Sequence, residues 1–151
     1  MEKRKRLAFD LDETLGTAIV DSQKVVGFNT RRDIFTLLDQ LSNCYELILW
    51  TVSNRVYLDK VLAYGMAKYF EETYSWDEIS EKWKDIRKIR ADFLVDDSDY
   101  HREIATQYGL ESNYIIVPAY GSLEDQRKPL LWIDIIKDSL ACNEKINSQL
   151  H

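Results

Sequence analysis

The sequence has few of the residues on which several common protein classes depend. Only two of its 151 residues are cysteines, Cys44 and Cys142, without a CxxC pair or a cluster with the two histidines. This scarcity excludes a disulfide framework and a cysteine-rich zinc site, and it predicts two ordinary buried or half-buried thiols. The five glycines form neither a GxGxxG nor a Walker pattern, so the common nucleotide-binding loops are excluded as well.

Excess positive charge and long apolar runs are also missing. The net charge is −6, which argues against a general affinity for nucleic acid, because such affinity depends on neutralising phosphates. No apolar run approaches membrane-spanning length, and the basic start MEKRKR leads into a strand rather than into a signal-peptide segment. We therefore expect a cytoplasmic protein with no membrane partner. Its length favours a single domain over residues 1–151.

What the sequence does contain is an alternation of buried strands and amphipathic helices. Short apolar runs predict strands over 7–9, 45–51, 92–97 and 113–118, and two β-prone runs predict a small hairpin over 17–28. Helical spacing predicts helices over 30–42 (with Thr30 as N-cap), 54–64, 76–89, 100–108 and 129–141. Strands alternating with helices favour an α/β fold with a parallel sheet covered on both sides.

Polar side chains follow three of these strands. Asp10 and Asp12 follow the first strand, Thr51 ends the second, and the pair Asp96–Asp97 ends the third. Parallel sheets place ligand sites at the carboxyl ends of their strands, so we expect these groups to converge. Clustered carboxylates repel each other unless a cation lies among them, and hard oxygen ligands suit Mg²⁺. Together with a lysine from 82–88, the set favours a phosphoryl-transfer site, although each residue alone has an ordinary interpretation as a cap or surface group.

The sequences of these stretches resemble the motifs of a known superfamily. "FDLDETL", "LILWT", "WKDI" and "FLVDDS" resemble the four motifs of the haloacid dehalogenase superfamily. The first is most similar to the phosphatases of the RNA polymerase C-terminal domain and their NLI-interacting-factor-like kin. Asp96–Asp97 stands where that branch usually has Asp-Asn, and the stretch from Lys84 to Asp96 is shorter. The resemblance implies a three-layer α/β/α, Rossmann-like fold and an Mg²⁺-dependent phosphomonoester hydrolase.

The resemblance also implies roles for the catalytic residues. Asp10 would be the nucleophile that forms an aspartyl-phosphate, and Asp12 would be the general acid and base. Thr51 and Lys84 would bind the phosphoryl group, as would Leu11 and Val52.

The resemblance implies a metal site as well, formed by Asp10, Asp12 through its carbonyl, and the pair Asp96–Asp97. Which member of the pair binds directly is left open, with Asp97 favoured. Lys82 and Lys88 remain rivals to Lys84 as the lysine of the site. Thr14 is expected to brace the first loop and Tyr120 to border the site, whereas His101 is expected to begin a surface helix.

The spacing of the motifs bears on the substrate. The intervals from Asp12 to Thr51 and from Thr51 to Lys84 are too short to hold a cap domain, so we expect an open site. An open site suits a phosphate displayed on a macromolecule, and we favour a phosphoprotein, with the hairpin flanking the entrance. The state of oligomerisation is left open.

Two alternatives remain at this stage. A nucleic-acid end or small-metabolite phosphatase of the same superfamily would share the chemistry. A receiver-like regulatory domain would differ in class. It is disfavoured because Thr51 stands where a receiver domain has its phosphoacceptor aspartate.

Overall fold

The computed structural model describes residues 3–149, with side-chain surroundings for residues 3–141. The strands in this part of the chain are β1 (Lys5–Phe9), β2 (Gly16–Asp21), β3 (Lys24–Thr30), β4 (Tyr45–Trp50), β5 (Glu72–Tyr74), β6 (Phe93–Asp96) and β7 (Tyr114–Ile116). The α-helices are α1 (Ile34–Ser42), α2 (Arg55–Leu62), α3 (Tyr100–Thr106), α4 (Leu123–Arg127) and α5 (Leu131–Gln149). None of the described helices is both long and apolar enough to cross a membrane.

Five strands form a parallel sheet in the order β5-β4-β1-β6-β7, and β2 pairs with β3 as a separate antiparallel hairpin. The central strand β1 is buried on both faces, as its continuous apolar run predicts. Leu7 and Phe9 point to one side, where helices α1, α2 and α5 contribute to the core. Ala8 points to the other side, which α3 and a 3-10 helix at Ile86–Ile89 help to cover. The predicted three-layer α/β fold is confirmed.

The hairpin β2–β3 lies between β1 and α1 in the chain. Its start depends on Gly16, because a Cβ atom at this position would lie 2.1 Å from the carbonyl oxygen of Asn29 on β3. Only a residue without a side chain permits so close an approach. The interval between Asp12 and Thr51 holds this hairpin, α1 and β4, and no cap domain.

Two helix predictions are wrong in the structure. Thr30 does not cap α1: it ends β3, opposite Gly16, and the helix begins at Ile34 after Asp33. The charged helix predicted over 76–89 does not form, and only the 3-10 helix at Ile86–Ile89 is regular. Its apolar stripe is thin, and side chains of other elements take two backbone donors that a continuous helix would use. His101 accepts from the Lys84 N–H, and the Tyr114 hydroxyl accepts from the Ile86 N–H.

The remaining elements agree with the predictions except in extent. Helices α2 and α3 are shorter than predicted by a few residues, and α5 runs on to Gln149. The short elements β5 and α4 were not predicted.

The Cys44 side chain is exposed, so its prediction as a buried or half-buried thiol is wrong, and the side chain of Cys142 lies outside the described residues.

Candidate active site

The three adjacent strands β4, β1 and β6 bring their predicted polar residues to one edge of the sheet. Asp10 directly follows β1, and its N–H donates to the Val95 carbonyl of β6. Thr51 directly follows β4, and Asp96 is the last residue of β6. Because the strands are parallel, all three side chains lie at the same carboxyl edge.

Three carboxylates meet at this edge. Asp10, Asp96 and Asp97 each offer a carboxylate oxygen, and these oxygens lie within 4.8 Å of one another. Burial, and then the negative charge of Asp10, raise the pKa of Asp96; burial also raises the pKa of Asp97. The Thr14 hydroxyl lies 3.1 Å from Oδ2 of Asp10 and 2.9 Å from Oδ1 of Asp97, so it braces the cluster.

One lysine reaches the carboxylates. Nζ of Lys84 lies 2.6 Å from Oδ1 of Asp10 and 2.7 Å from the Trp50 carbonyl oxygen, and only 3% of its side chain is exposed. Its rivals lie on the surface: Lys88 pairs with Glu81, and Lys82 is exposed. Asp10 thus has one oxygen against a cation and the other against the Thr14 hydroxyl.

Asp12 is not a member of the three-carboxylate cluster. Its Oδ1 accepts a hydrogen bond from the Tyr57 hydroxyl of α2, and the Ser53 hydroxyl lies 3.5 Å from its Oδ2. Burial raises the pKa of Asp12, and the Tyr57 hydrogen bond opposes this effect. No pattern in the sequence pointed to Tyr57, which lies six residues beyond Thr51 and outside the second motif.

The other expected residues surround this group. The Thr51 side chain is buried, and its hydroxyl accepts from the Ser53 N–H at 3.0 Å. The Leu11 side chain is buried in the core, whereas that of Val52 is 55% exposed. His101 lies in the first turn of α3, which is largely a surface helix as expected, but the His101 side chain itself is buried.

A buried arginine connects the first loop to the segment after β7. Arg31 donates to the Thr14 carbonyl at 3.2 Å and to Asp125 at 2.9 Å, and its guanidinium lies over the Trp132 ring. The Tyr120 N–H donates to the Glu13 carbonyl at 2.7 Å, which places Tyr120 next to this loop. No pattern in the sequence pointed to Arg31, which followed a predicted helix cap.

Comparison with known proteins shows the family to which the chain belongs. The sequence model of the NLI interacting factor-like phosphatases matches residues 5–131. The chain belongs to this family. The predicted branch is therefore confirmed, and the family is one of phosphatases, in agreement with the predicted enzyme class. Membership also sets aside the receiver-like alternative.

Two solved structures resemble the fold of this family member. One is the fission yeast RNA polymerase II CTD phosphatase Fcp1-R271A bound to beryllium fluoride, with 20% identity and a TM-score of 0.60; the match covers 78% of this chain. The other is Fcp1, described as an essential RNA polymerase II CTD phosphatase, with 18% identity and a TM-score of 0.57 over 98% of this chain. The matches cover 42% and 54% of those two chains. A search of curated proteins found no match.

Proposed function

We propose that this phosphatase is an Mg²⁺-dependent phosphomonoesterase that acts on a phosphoprotein through an aspartyl-phosphate on Asp10. The observation that carries the proposal is the setting of Asp10. Its carboxylate touches the Lys84 ammonium on one side and belongs to a three-carboxylate cluster on the other. A nucleophile needs such a setting if an incoming phosphate is to be neutralised from two directions.

The donor set fits Mg²⁺. Asp10, Asp96 and Asp97 supply hard carboxylate oxygens in a half-buried position. Burial, and then the negative charge of Asp10, raise the pKa of Asp96, and a bound cation would favour its charged form. These three side chains, with the carbonyl of Asp12, would hold the ion. When bound, Mg²⁺ supplies positive charge that stabilises the phosphoryl oxygens.

The reaction assigned to the side chains has two steps. In the first, a carboxylate oxygen of Asp10 attacks phosphorus, the bond to the leaving oxygen breaks, and Asp12 gives that oxygen its proton. In the second, Asp12 takes a proton from water, the resulting hydroxide attacks phosphorus, and phosphate leaves Asp10. Asp12 must carry a proton in the first step, which is consistent with its raised pKa. It also lies outside the group of three carboxylates assigned to the metal ion.

Four residues are assigned to the phosphoryl group itself. Lys84 neutralises its charge, and the Thr51 hydroxyl donates a hydrogen bond to it. Leu11 would contribute only through its backbone, because its side chain lies in the core. Val52 would likewise offer its backbone N–H, next to Thr51.

A phosphoprotein is favoured as the substrate for two reasons. The site lacks a cap: between Thr51 and Lys84 the structure has only α2, β5 and a 3-10 helix at Ala67–Tyr69. The two similar structures are phosphatases of a protein, the C-terminal domain of RNA polymerase II, by their descriptions. The hairpin β2–β3, with Ile19, Val20 and Val26 exposed, would flank the entrance.

The test compares substrates and one variant. We expect Mg²⁺-dependent release of phosphate from 4-nitrophenyl phosphate, abolished by Asp10→Asn and by removal of Mg²⁺ with a chelator. We also expect a higher kcat/KM on phosphopeptides than on nucleotides, sugar phosphates or phosphorylated oligonucleotide ends. Full activity of Asp10→Asn would contradict the role of the nucleophile. A preference for small metabolites or oligonucleotide ends would contradict the phosphoprotein assignment and support the corresponding alternative.

A further inference from the structure

The backbone around Lys84 has no regular secondary structure, although its side chain has to be placed accurately. The residue lies just before the 3-10 helix at Ile86–Ile89, in the segment where the predicted helix is missing. A lysine has a flexible four-carbon stem, so the position of its ammonium depends on how firmly its backbone is held. Neither a helix nor a strand holds it here.

A histidine accepts the backbone N–H of this lysine. Nδ1 of His101 accepts from the Lys84 N–H at 2.8 Å, so this nitrogen carries no proton. His101 is buried in the first turn of α3, and its Nε2 lies 3.9 Å from Oδ2 of Asp96. Burial, and then the charge of Lys84, lower the pKa of His101 to about 4, in agreement with a neutral ring.

A tyrosine on the edge strand bonds the carbonyl of the same lysine. The Tyr114 hydroxyl donates to the Lys84 carbonyl at 2.8 Å and accepts from the Ile86 N–H at 3.1 Å. Tyr114 is buried in β7. Both backbone polar groups of Lys84 are therefore bonded to buried side chains that come from different elements of the fold.

We propose that His101 and Tyr114 are positioning residues that hold the backbone of Lys84 so that its ammonium stays against Asp10. The proposal rests on the proposed function, in which Lys84 neutralises the phosphoryl group. Charged groups that are already in place accelerate a reaction more than groups that have to be ordered at each turnover. Neither residue contacts the reacting atoms, so each acts through the lysine.

The first test removes one hydroxyl. Tyr114→Phe should lower kcat on 4-nitrophenyl phosphate about tenfold, the value of roughly one hydrogen bond, with a much smaller change in KM. Tyr108→Phe is the matched control. Both rings stack on Trp83, but only that of Tyr114 reaches Lys84. A folded Tyr114→Phe with unchanged kcat would overturn the proposal, and so would an equal loss in the control.

A double-mutant cycle shows whether the hydroxyl acts through the lysine. In a Lys84→Met background, Tyr114→Phe should change kcat less than about twofold, because the group it positions is gone. The same tenfold loss in both backgrounds would overturn the proposal. If Lys84→Met itself keeps full activity, the proposed function has failed. If it loses activity while folded Tyr114→Phe does not, only the positioning role has failed.

A second pair of variants applies if Tyr114→Phe does not fold. The side-chain oxygen of Asn can stand near the position of Nδ1 of His101, whereas Leu offers no acceptor. We expect His101→Asn to keep most of kcat and His101→Leu to lose about tenfold, with the Mg²⁺ concentration for half-maximal activity unchanged in both. Equal losses in the two folded variants, or a shift in the Mg²⁺ requirement that accounts for the loss, would contradict the proposal.

Discussion

Two segments deliver charged groups to the same site by different means. The loop of Asp10–Thr14 follows the central strand directly, so its carboxylates reach the sheet edge as a consequence of β1 itself. The segment of Lys84 follows no strand, and its lysine is placed by two backbone hydrogen bonds, one accepted by His101 and one donated by Tyr114. A side chain that directly follows a strand is positioned by that strand. The lysine is positioned by His101 and Tyr114, which lie 17 and 30 residues away in the sequence.

The first loop is also held by a residue outside it, Arg31, and replacing this residue should have the largest effect on stability. Arg31→Met leaves Asp125 buried without its cation and removes the donor to the Thr14 carbonyl. We expect a loss of about 3–5 kcal/mol in the free energy of unfolding, measured in urea. Arg32→Met, at the exposed neighbouring position, is the control and should change stability little.

Replacing both partners sharpens this test. Arg31→Met with Asp125→Leu should recover much of the lost stability, because no unpaired charge is then buried. If Arg31→Met alone is as stable as the wild type, the ion pair does not support the loop.

A smaller effect is expected where the first loop meets the second motif. Tyr57→Phe removes the donor to Asp12. We expect kcat on 4-nitrophenyl phosphate to fall about tenfold with the fold intact, because Asp12 loses the group that orients it. Tyr64→Phe, which changes an exposed ring just after the same helix, should have no effect. Equal activity of the two variants would show that Asp12 is oriented without Tyr57.

The smallest effect concerns the turn that precedes the lysine. Glu78 bonds to Arg55, which lowers the pKa of Glu78 to about 2 from a usual value of 4.5. A lowered folded-state pKa means that the stabilisation is complete above about pH 4.5 and is lost as the pH falls toward 2. We expect Glu78→Gln to cost less than about 1 kcal/mol near pH 7, because the pair is partly exposed, and less still near pH 3. The comparison requires thermal unfolding of both proteins at the two pH values, and a cost that grows at low pH would contradict it.

Hydrophobic periodicity and the polar residues at strand ends were enough to predict the central sheet and the position of the site. The apolar runs around Leu7, Leu47 and Leu94 predict the three central strands, and the polar residues that follow them predict the carboxyl edge of the site. The four sequence motifs then predicted the family, which the match of the family model to residues 5–131 confirms.

The rest depended on contacts that no local pattern encodes. The helix predicted over 76–89 does not form, and the Lys84 and Ile86 N–H groups that it would use are bonded to His101 and Tyr114 of other elements. Burial of His101 and of Arg31 follows from partners far along the chain, Lys84 and Asp125. Charged and polar residues are placed on the surface by default, so only the assembled fold shows that these two are inside.

The central claim is that Asp10 receives the phosphoryl group, and one crystal structure tests it directly. Crystals soaked with Mg²⁺ and beryllofluoride should show the beryllofluoride group attached to the Asp10 carboxylate, with the Lys84 ammonium and the Thr51 hydroxyl against its fluorines and Mg²⁺ among Asp10, Asp96 and Asp97. A group attached to another residue, or an unmodified Asp10 with no ion among these carboxylates, would contradict the account.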